Sequence, residues 1–238
     1  LIDGTSFNAN SLISNLLDAD DKKENNLFEN NVSMELNFEE VYLDKIHFVK
    51  DLNGKINIIN NKVEEADILA FYNNSQNIKF TVRTNNQGEK ITTLFSSNAK
   101  PLVDRYKFIK GFENGKEGYL DFSSIKKDGV STSKLVIDNF KVKEIPVLAK
   151  LLVLASLQGV ADLLTGEGIR FTDFEMNFTN QDKLMNIEEL YAIGPAISIL
   201  LEGYIEVDKL ISLRGTLVPA TTINRSIASI PLLGDLLI

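Results

Sequence analysis

The sequence has no cysteine and no tryptophan, and His47 is its only histidine. The absence of cysteine excludes disulfides, thiolate metal sites and cysteine nucleophiles. One histidine cannot supply an ordinary zinc site, and it cannot form a network of histidine general bases. Composition therefore argues against most common hydrolase and metalloenzyme mechanisms. It does not identify the compartment, because proteins without cysteine occur in oxidising and reducing environments alike.

Positive charge is also in deficit. The 238 residues include 25 Lys and Arg against 33 Asp and Glu, which gives a net charge of −8. An acidic chain is a poor candidate for a nucleic-acid partner, because phosphate contacts need a basic surface. Hydrophobic residues make up 44% of the chain. At this length it can form one large β-rich domain or two small ones, and it can bury a core without crosslinks.

No group of residues in the sequence has the pattern of a catalytic or metal site. His47 stands in a strand-like run and is predicted to face solvent. The acidic run 18–21 lacks the glycine and the closing glutamate of a calcium loop. Gly166 and Gly168 lack the third glycine of a dinucleotide-binding fingerprint. Adjacent carboxylates such as Glu188 and Glu189 point to opposite faces of a strand. We therefore predict a non-enzymatic protein without a cofactor or a bound metal.

Alternation of apolar and polar residues is the dominant pattern and predicts strands joined by short polar turns. Asn53-Gly54 and Asp128-Gly129 each predict a hairpin turn, because these dipeptides favour the tight turns between paired strands. Such a series of strands is typical of an antiparallel meander. The predicted strands are 46–49, 55–59, Ile68–Tyr72, Ile78–Thr84, Ile91–Phe95, Tyr119–Ile125, Lys134–Val142, Ile169–Phe178, Met185–Ile193, Ala196–Val207 and Leu210–Val218.

Three segments are predicted to be helical: Ser11–Leu17, Ala99–Lys110 and Ile145–Leu164. The last begins near Pro146 and has a wide apolar face with a narrow polar stripe. We interpret it as a helix that covers one face or one end of the sheet, and direct contact with lipid is a further reading. Charged residues such as Lys150 and Asp162 argue against a membrane span, because each costs about 2.5–3.5 kcal/mol at the centre of a bilayer.

The last two predicted strands each have one aliphatic face. An antiparallel sheet must cover such a face. One solution is a closed barrel or sandwich core, and the other is a curved sheet whose apolar face holds lipid chains. The lack of tryptophan, an aromatic content of 8% and the shortage of helices favour the second. The residues predicted to line this groove are Ile197, Ile199, Leu201, Ile205, Val207, Ile211, Leu213 and Leu217.

The order of several sequence blocks resembles the C-terminal region of the AsmA-like family of Gram-negative envelope proteins, whose relatives include TamB and YhdP. The resemblance covers about residues 100–238 and is weaker before them. Its blocks are Ser133–Val142, Ile145–Leu152, Ser156–Gly159, Leu164–Phe171, Gly194–Ala196, Gly203–Val207, Leu213–Ala220 and Ile230–Leu237.

The resemblance implies a periplasmic protein that is anchored in the inner membrane and has a long, curved antiparallel sheet forming an open groove. It implies transport of phospholipids between inner and outer membrane, and a part in outer-membrane biogenesis. Phospholipids, both membranes and envelope proteins would then be the partners. The chain starts at Leu1 and ends inside an apolar run, so we expect a piece of a longer protein whose anchor lies elsewhere. The alternative function is a scaffold or interaction module for outer-membrane assembly with a closed β core.

The sequence also suggests a division into two parts. Residues 1–98 hold 18 asparagines and residues 99–238 hold 6. We therefore predict a polar, Asn-rich β segment over 1–98 and the AsmA-like region over 99–238. Both are expected to contribute to one continuous sheet.

Overall fold

Nearly all of the regular structure in the described residues is β-strand. A computed structural model describes residues 1–10, 30–60, 62–106, 109, 111–115, 117–143, 167–207 and 209–219. The strands are β1 (Ile2–Asn8), β2 (Val32–Tyr42), β3 (Phe48–Ile59), β4 (Lys62–Asn73), β5 (Gln76–Thr84), β6 (Lys90–Ser96), β7 (Phe112–Asn114), β8 (Leu120–Lys127), β9 (Val130–Val142), β10 (Ile169–Gln181), β11 (Leu184–Ile193), β12 (Ile197–Glu206) and β13 (Leu210–Pro219). The described helix is α1 (Lys100–Tyr106).

All 13 strands belong to one sheet, and their order in the sheet follows their order in the chain from β1 to β13, with β7 beside the main path. Neighbouring strands pair antiparallel except β1, which runs parallel to β2. In the described part of the chain β1 and β13 are not paired with each other, so the sheet is open. The predicted mainly β fold with antiparallel order is thus confirmed. Pairing of β6 with β8 joins residues from both sides of position 98, and the domain division itself stays a prediction.

One face of the sheet is apolar from β2 to β13. Directly paired residues share a face, and residues two apart along a strand share it as well. The buried apolar strand residues of the described chain fall into three hydrophobic clusters that share partly buried members such as Leu36, Ile68 and Ile78, which places them on the same side of the sheet. We call this side the apolar face and the other side the polar face. The largest fully buried side chains on the apolar face are Phe140, Ile58, Ile137, Ile169, Ile197, Val41 and Val49.

The two predicted hairpin turns had different outcomes. Asp128-Gly129 joins β8 to β9 with positive φ at both residues (50° and 83°), as a two-residue hairpin requires. The turn predicted at Asn53-Gly54 is wrong, because both residues lie inside β3. A Cβ at Gly54 would lie 2.8 Å from the Asp67 carbonyl oxygen. This glycine therefore allows close approach of β4 and does not form a turn.

One of the three predicted helices falls largely within the described residues. The predicted helix Ala99–Lys110 is present in shorter form as α1, with Pro101 in its first turn, where a missing amide hydrogen breaks no helical hydrogen bond. Ser11–Leu17 and Ile145–Leu164 lie outside the described residues. Within the described residues no helix has the length and apolar character needed to cross a bilayer.

Helix α1 packs over the apolar face beside the short strand β7. Its buried residues Leu102 and Val103 belong to the same hydrophobic cluster as the inward side chains of β7–β12. Below it lie four rings that we call the phenyl cluster: Phe112, Phe140, Phe171 and Phe174. Phe140 is at its centre, with ring centroids 5.2 Å from Phe112, 5.5 Å from Phe171 and 6.2 Å from Phe174.

Candidate functional site

The eight residues predicted to line a groove lie at the β12–β13 end of the apolar face. Direct pairs join Ile199 to Leu217 and Ile205 to Ile211 across the two strands. Leu201 is opposite Leu190 of β11, which places the row against the rest of the apolar face. Val207 follows β12 in the turn, where its amide donates to the Lys183 carbonyl. The aliphatic residues of both strands therefore share one side of the sheet.

Exposure of these residues increases toward the edge of the sheet. Ile197 is fully buried, whereas Ile199 and Leu201 are half-buried. Ile211 on the edge strand β13 is 67% exposed and Leu213 is 42% exposed. Large aliphatic side chains at such exposure form an apolar surface next to a packed interior. Among the described residues, access to the apolar face is thus greatest at β13 and least under α1.

The centre of the apolar face, in contrast, is closely packed. Ile137 and Phe140 of β9 are 0% and 2% exposed, and Ile169 of β10 is 1% exposed. The phenyl cluster and α1 cover this region. The eight predicted residues are therefore one end of a longer apolar surface. The groove prediction omitted the apolar-face residues of β2–β11, although alternation is visible in the sequence of β4, β5, β8, β9 and β10.

The polar face carries hydrogen-bonded charges. Lys134 Nζ lies 2.7 Å from Glu175 Oε1, and Tyr191 donates its hydroxyl hydrogen to Glu175 Oε2 at 2.9 Å. The hydrogen bond from Lys134 lowers the pKa of Glu175 below its usual range, because it stabilises the ionised form. Arg214 and Glu202 make a similar pair across β12 and β13 at 2.7 Å. This face is therefore suited to contact with water.

Asp138 and Asp173 are direct partners on β9 and β10, on the polar face. Partial burial raises the pKa of Asp138, and the neighbouring charge of Asp173 raises it further. A carboxyl group with a higher pKa in the folded chain binds its proton more tightly there than in the unfolded chain. The free energy of unfolding therefore falls as the pH rises from the ordinary aspartate pKa through the raised folded pKa.

We expect Asp138→Asn to stabilise the protein at pH 7 by up to about 1 kcal/mol, the size of a cross-strand charge pair. The gain should vanish at acidic pH, where both carboxyl groups are protonated. Urea unfolding at both pH values measures this. Asp67→Asn is the matched control, because Asp67 already pairs with Arg83. A gain of equal size at pH 7 and at acidic pH would contradict the assignment.

The prediction that His47 is a solvent-facing strand residue is wrong. It lies in the turn before β3, its side chain is 19% exposed, and its Nδ1 is 2.8 Å from Asp44 Oδ2. Asp44 also accepts from the amides of Ile46 and His47, so it organises the turn. Burial alone would raise the pKa of Asp44, but these hydrogen bonds bring it below its usual value. Among the described residues no three histidine, aspartate or glutamate side chains converge on a possible metal position.

Comparisons of the chain with family models, with curated proteins and with solved structures found no match. The resemblance to the AsmA-like family therefore stays a prediction.

Proposed function

We propose that this chain is a periplasmic segment of an AsmA-like lipid-transport protein and holds phospholipid acyl chains along its apolar face. In this proposal an anchor outside the chain attaches it to the inner membrane, and the lipids pass toward the outer membrane. The observation that carries the proposal is a continuous apolar face through β2–β13 that ends in exposed aliphatic residues at β13.

Burial on the apolar face of β2–β5 favours a curved sheet, which would form a groove. Ile58 and Ala66 are both 0% exposed, and their described cluster partners all come from β2–β5. In a flat sheet whose face is not covered by another element, the side chains on that face remain exposed to water. Strands that bury one another's side chains on one face are typical of a sheet that curls toward that face. The apolar face is then the inner surface of the curve.

Transport along such a surface needs no catalytic group. Contact with aliphatic side chains contributes about 0.8 kcal/mol for each CH₂ removed from water, and successive strands offer similar contacts. A chain can therefore move from one strand to the next without a deep free-energy minimum, while its headgroup stays in water. The proposal is accordingly non-enzymatic, and detectable turnover in an esterase or glycosidase screen would contradict it.

The packed centre favours the second candidate, a scaffold with a closed β core. Phe140 and Ile137 leave no room for an acyl chain beside them, and α1 covers them. In that case the exposed aliphatic residues of β13 would contact another protein of the envelope. The two functions differ in whether the purified chain retains phospholipid.

Leu201→Glu tests the first candidate. Leu201 is on the apolar face, and a charge placed against acyl chains costs several kcal/mol. We expect native mass spectrometry to show retained phospholipid on the wild-type chain and about tenfold less on the variant. Transfer of a fluorescent phospholipid between vesicles should fall in parallel.

Leu200→Glu is the matched control. Leu200 is the preceding residue, lies on the polar face and is 48% exposed, so its substitution should leave lipid retention unchanged. Leu213→Glu provides a second test at an exposed position, where misfolding is less of a concern. Absence of phospholipid from the wild-type chain, or equal retention by Leu201→Glu and Leu200→Glu, would refute the lipid function.

A further inference from the structure

A basic and hydroxyl-rich patch borders the apolar face at the ends of β6, β8 and β9. Lys90 is the direct partner of Lys126, and Thr92 is the direct partner of Ser124. Ser133 completes the second row, because it pairs with Ser124. These positions share the apolar face by register. We call them the lysine–hydroxyl patch: Lys90, Thr92, Ser124, Lys126, Ser131 and Ser133.

The side chains of the patch show that it belongs to the apolar face. Ser133 is only 5% exposed and donates to the Ser124 hydroxyl at 2.9 Å. Lys90 extends across β5 and donates to Glu64 Oε1 and to the Val63 carbonyl of β4, both at 2.9 Å. Lys127, the next residue after Lys126, belongs to the other face and pairs with Glu89.

Charge in the patch is only partly compensated. Like charges directly opposite each other on neighbouring strands are destabilising, and Lys90 and Lys126 form such a pair. Glu64 balances Lys90, whereas Lys126 is exposed and has no salt bridge among the described residues. The Ser124 hydroxyl accepts from Ser133, so its own hydrogen can be donated to a ligand. A bound anion would satisfy both groups.

The position of the patch relates this anion to lipid. The next row of the apolar face consists of Leu94, Phe122 and Leu135, which are direct partners across β6, β8 and β9. Leu94 and Phe122 are half-buried and Leu135 is buried, so an amphipathic ligand with its anionic group at Lys126 would have its chains along Leu94 and Phe122. A phosphodiester matches the donors, because ammonium and hydroxyl groups both donate to phosphate oxygens.

We propose that the lysine–hydroxyl patch binds the phosphate of a phospholipid headgroup whose acyl chains lie along Leu94 and Phe122. This inference rests on the proposed function and adds to it the place of the headgroup and a preference for anionic lipid. Phosphatidylglycerol should bind more tightly than phosphatidylcholine, since its headgroup adds no positive charge beside Lys126. The preference should weaken as salt concentration rises.

The test compares three short-chain lipids below their micelle concentration: dihexanoyl phosphatidylglycerol, dihexanoyl phosphatidylcholine and dihexanoylglycerol, which has no phosphate. We expect Lys126→Glu to weaken phosphatidylglycerol binding roughly tenfold, the effect of losing one charge-assisted hydrogen bond. Binding of dihexanoylglycerol should not change. Lys79→Glu is the matched control, because Lys79 is an exposed lysine on the polar face of β5.

The outcomes separate this inference from the proposed function. If all three lipids bind and Lys126→Glu weakens none of them selectively, the headgroup site is refuted while lipid binding stands. If none binds, both are refuted. If inorganic phosphate displaces phosphatidylglycerol at phosphate concentrations near the dissociation constant of that lipid, the patch is a site for free phosphate. An equal loss from Lys79→Glu would also refute the site, because the effect would then be one of net charge.

Discussion

Replacement of Phe140 by alanine is expected to lower the free energy of unfolding by about 3–5 kcal/mol, the range for removing a large buried side chain. Phe140 is 2% exposed and is the ring that contacts the three others of the phenyl cluster. Its removal leaves a cavity between β7, β9 and β10 and also removes ring contacts. Equilibrium unfolding in urea, followed by circular dichroism, measures the change.

The control for this substitution is Phe95→Ala. Phe95 is on the polar face, is 37% exposed and contacts Tyr119 with ring centroids 5.9 Å apart. Its replacement should cost clearly less than that of Phe140, because no enclosed cavity forms. Similar losses from the two substitutions would mean that the phenyl cluster is not a packed core. The open-groove proposal would then extend to the centre of the sheet.

The strands could be predicted where alternation is uninterrupted, as in β12, where odd-numbered and even-numbered residues keep their faces from Ile197 to Glu206. Alternation fails where a residue leaves the extended conformation. In β9, Asn139 has a φ of 48°, and the buried positions change from odd numbers at Ile137 to even numbers at Phe140. Strand β2 has the same alternation at Met34, Leu36 and Phe38, but it is not among the strands predicted from the sequence.

Other features depend on contacts between distant parts of the chain. The three residues of β7 are a strand only because they pair with the end of β9. The exposure of Ile211 follows from the position of β13 at the edge of the sheet. The composition of the chain does not indicate which strand lies at that edge. The pair Lys90 and Lys126 needs the register of β6 against β8, which are separated by α1 and β7. No local motif could have brought these lysines together.

Gly203→Ala is expected to destabilise the β12–β13 end of the sheet by about 3 kcal/mol. Gly203 has a φ of 141°, and a Cβ there would lie 2.1 Å from the Ser212 carbonyl oxygen. The substitution combines an unfavourable backbone conformation, about 1–2 kcal/mol, with a forced shift of a neighbouring strand, about 1–3 kcal/mol. Hydrogen exchange should accelerate over 197–219 and remain slow in β3 and β4.

Gly129→Ala separates the two causes. Gly129 also has a positive φ, 83°, but a Cβ there meets nothing within 4 Å, so only the backbone term of about 1–2 kcal/mol remains. Because β12 and β13 carry the exposed part of the apolar face, Gly203→Ala should also reduce phospholipid retention, whereas Gly129→Ala should not. If Gly203→Ala loosened β12 and β13 but left lipid retention intact, the acyl chains would have to bind elsewhere on the apolar face. If hydrogen exchange over 197–219 did not change, the close approach of β13 to Gly203 would itself be wrong.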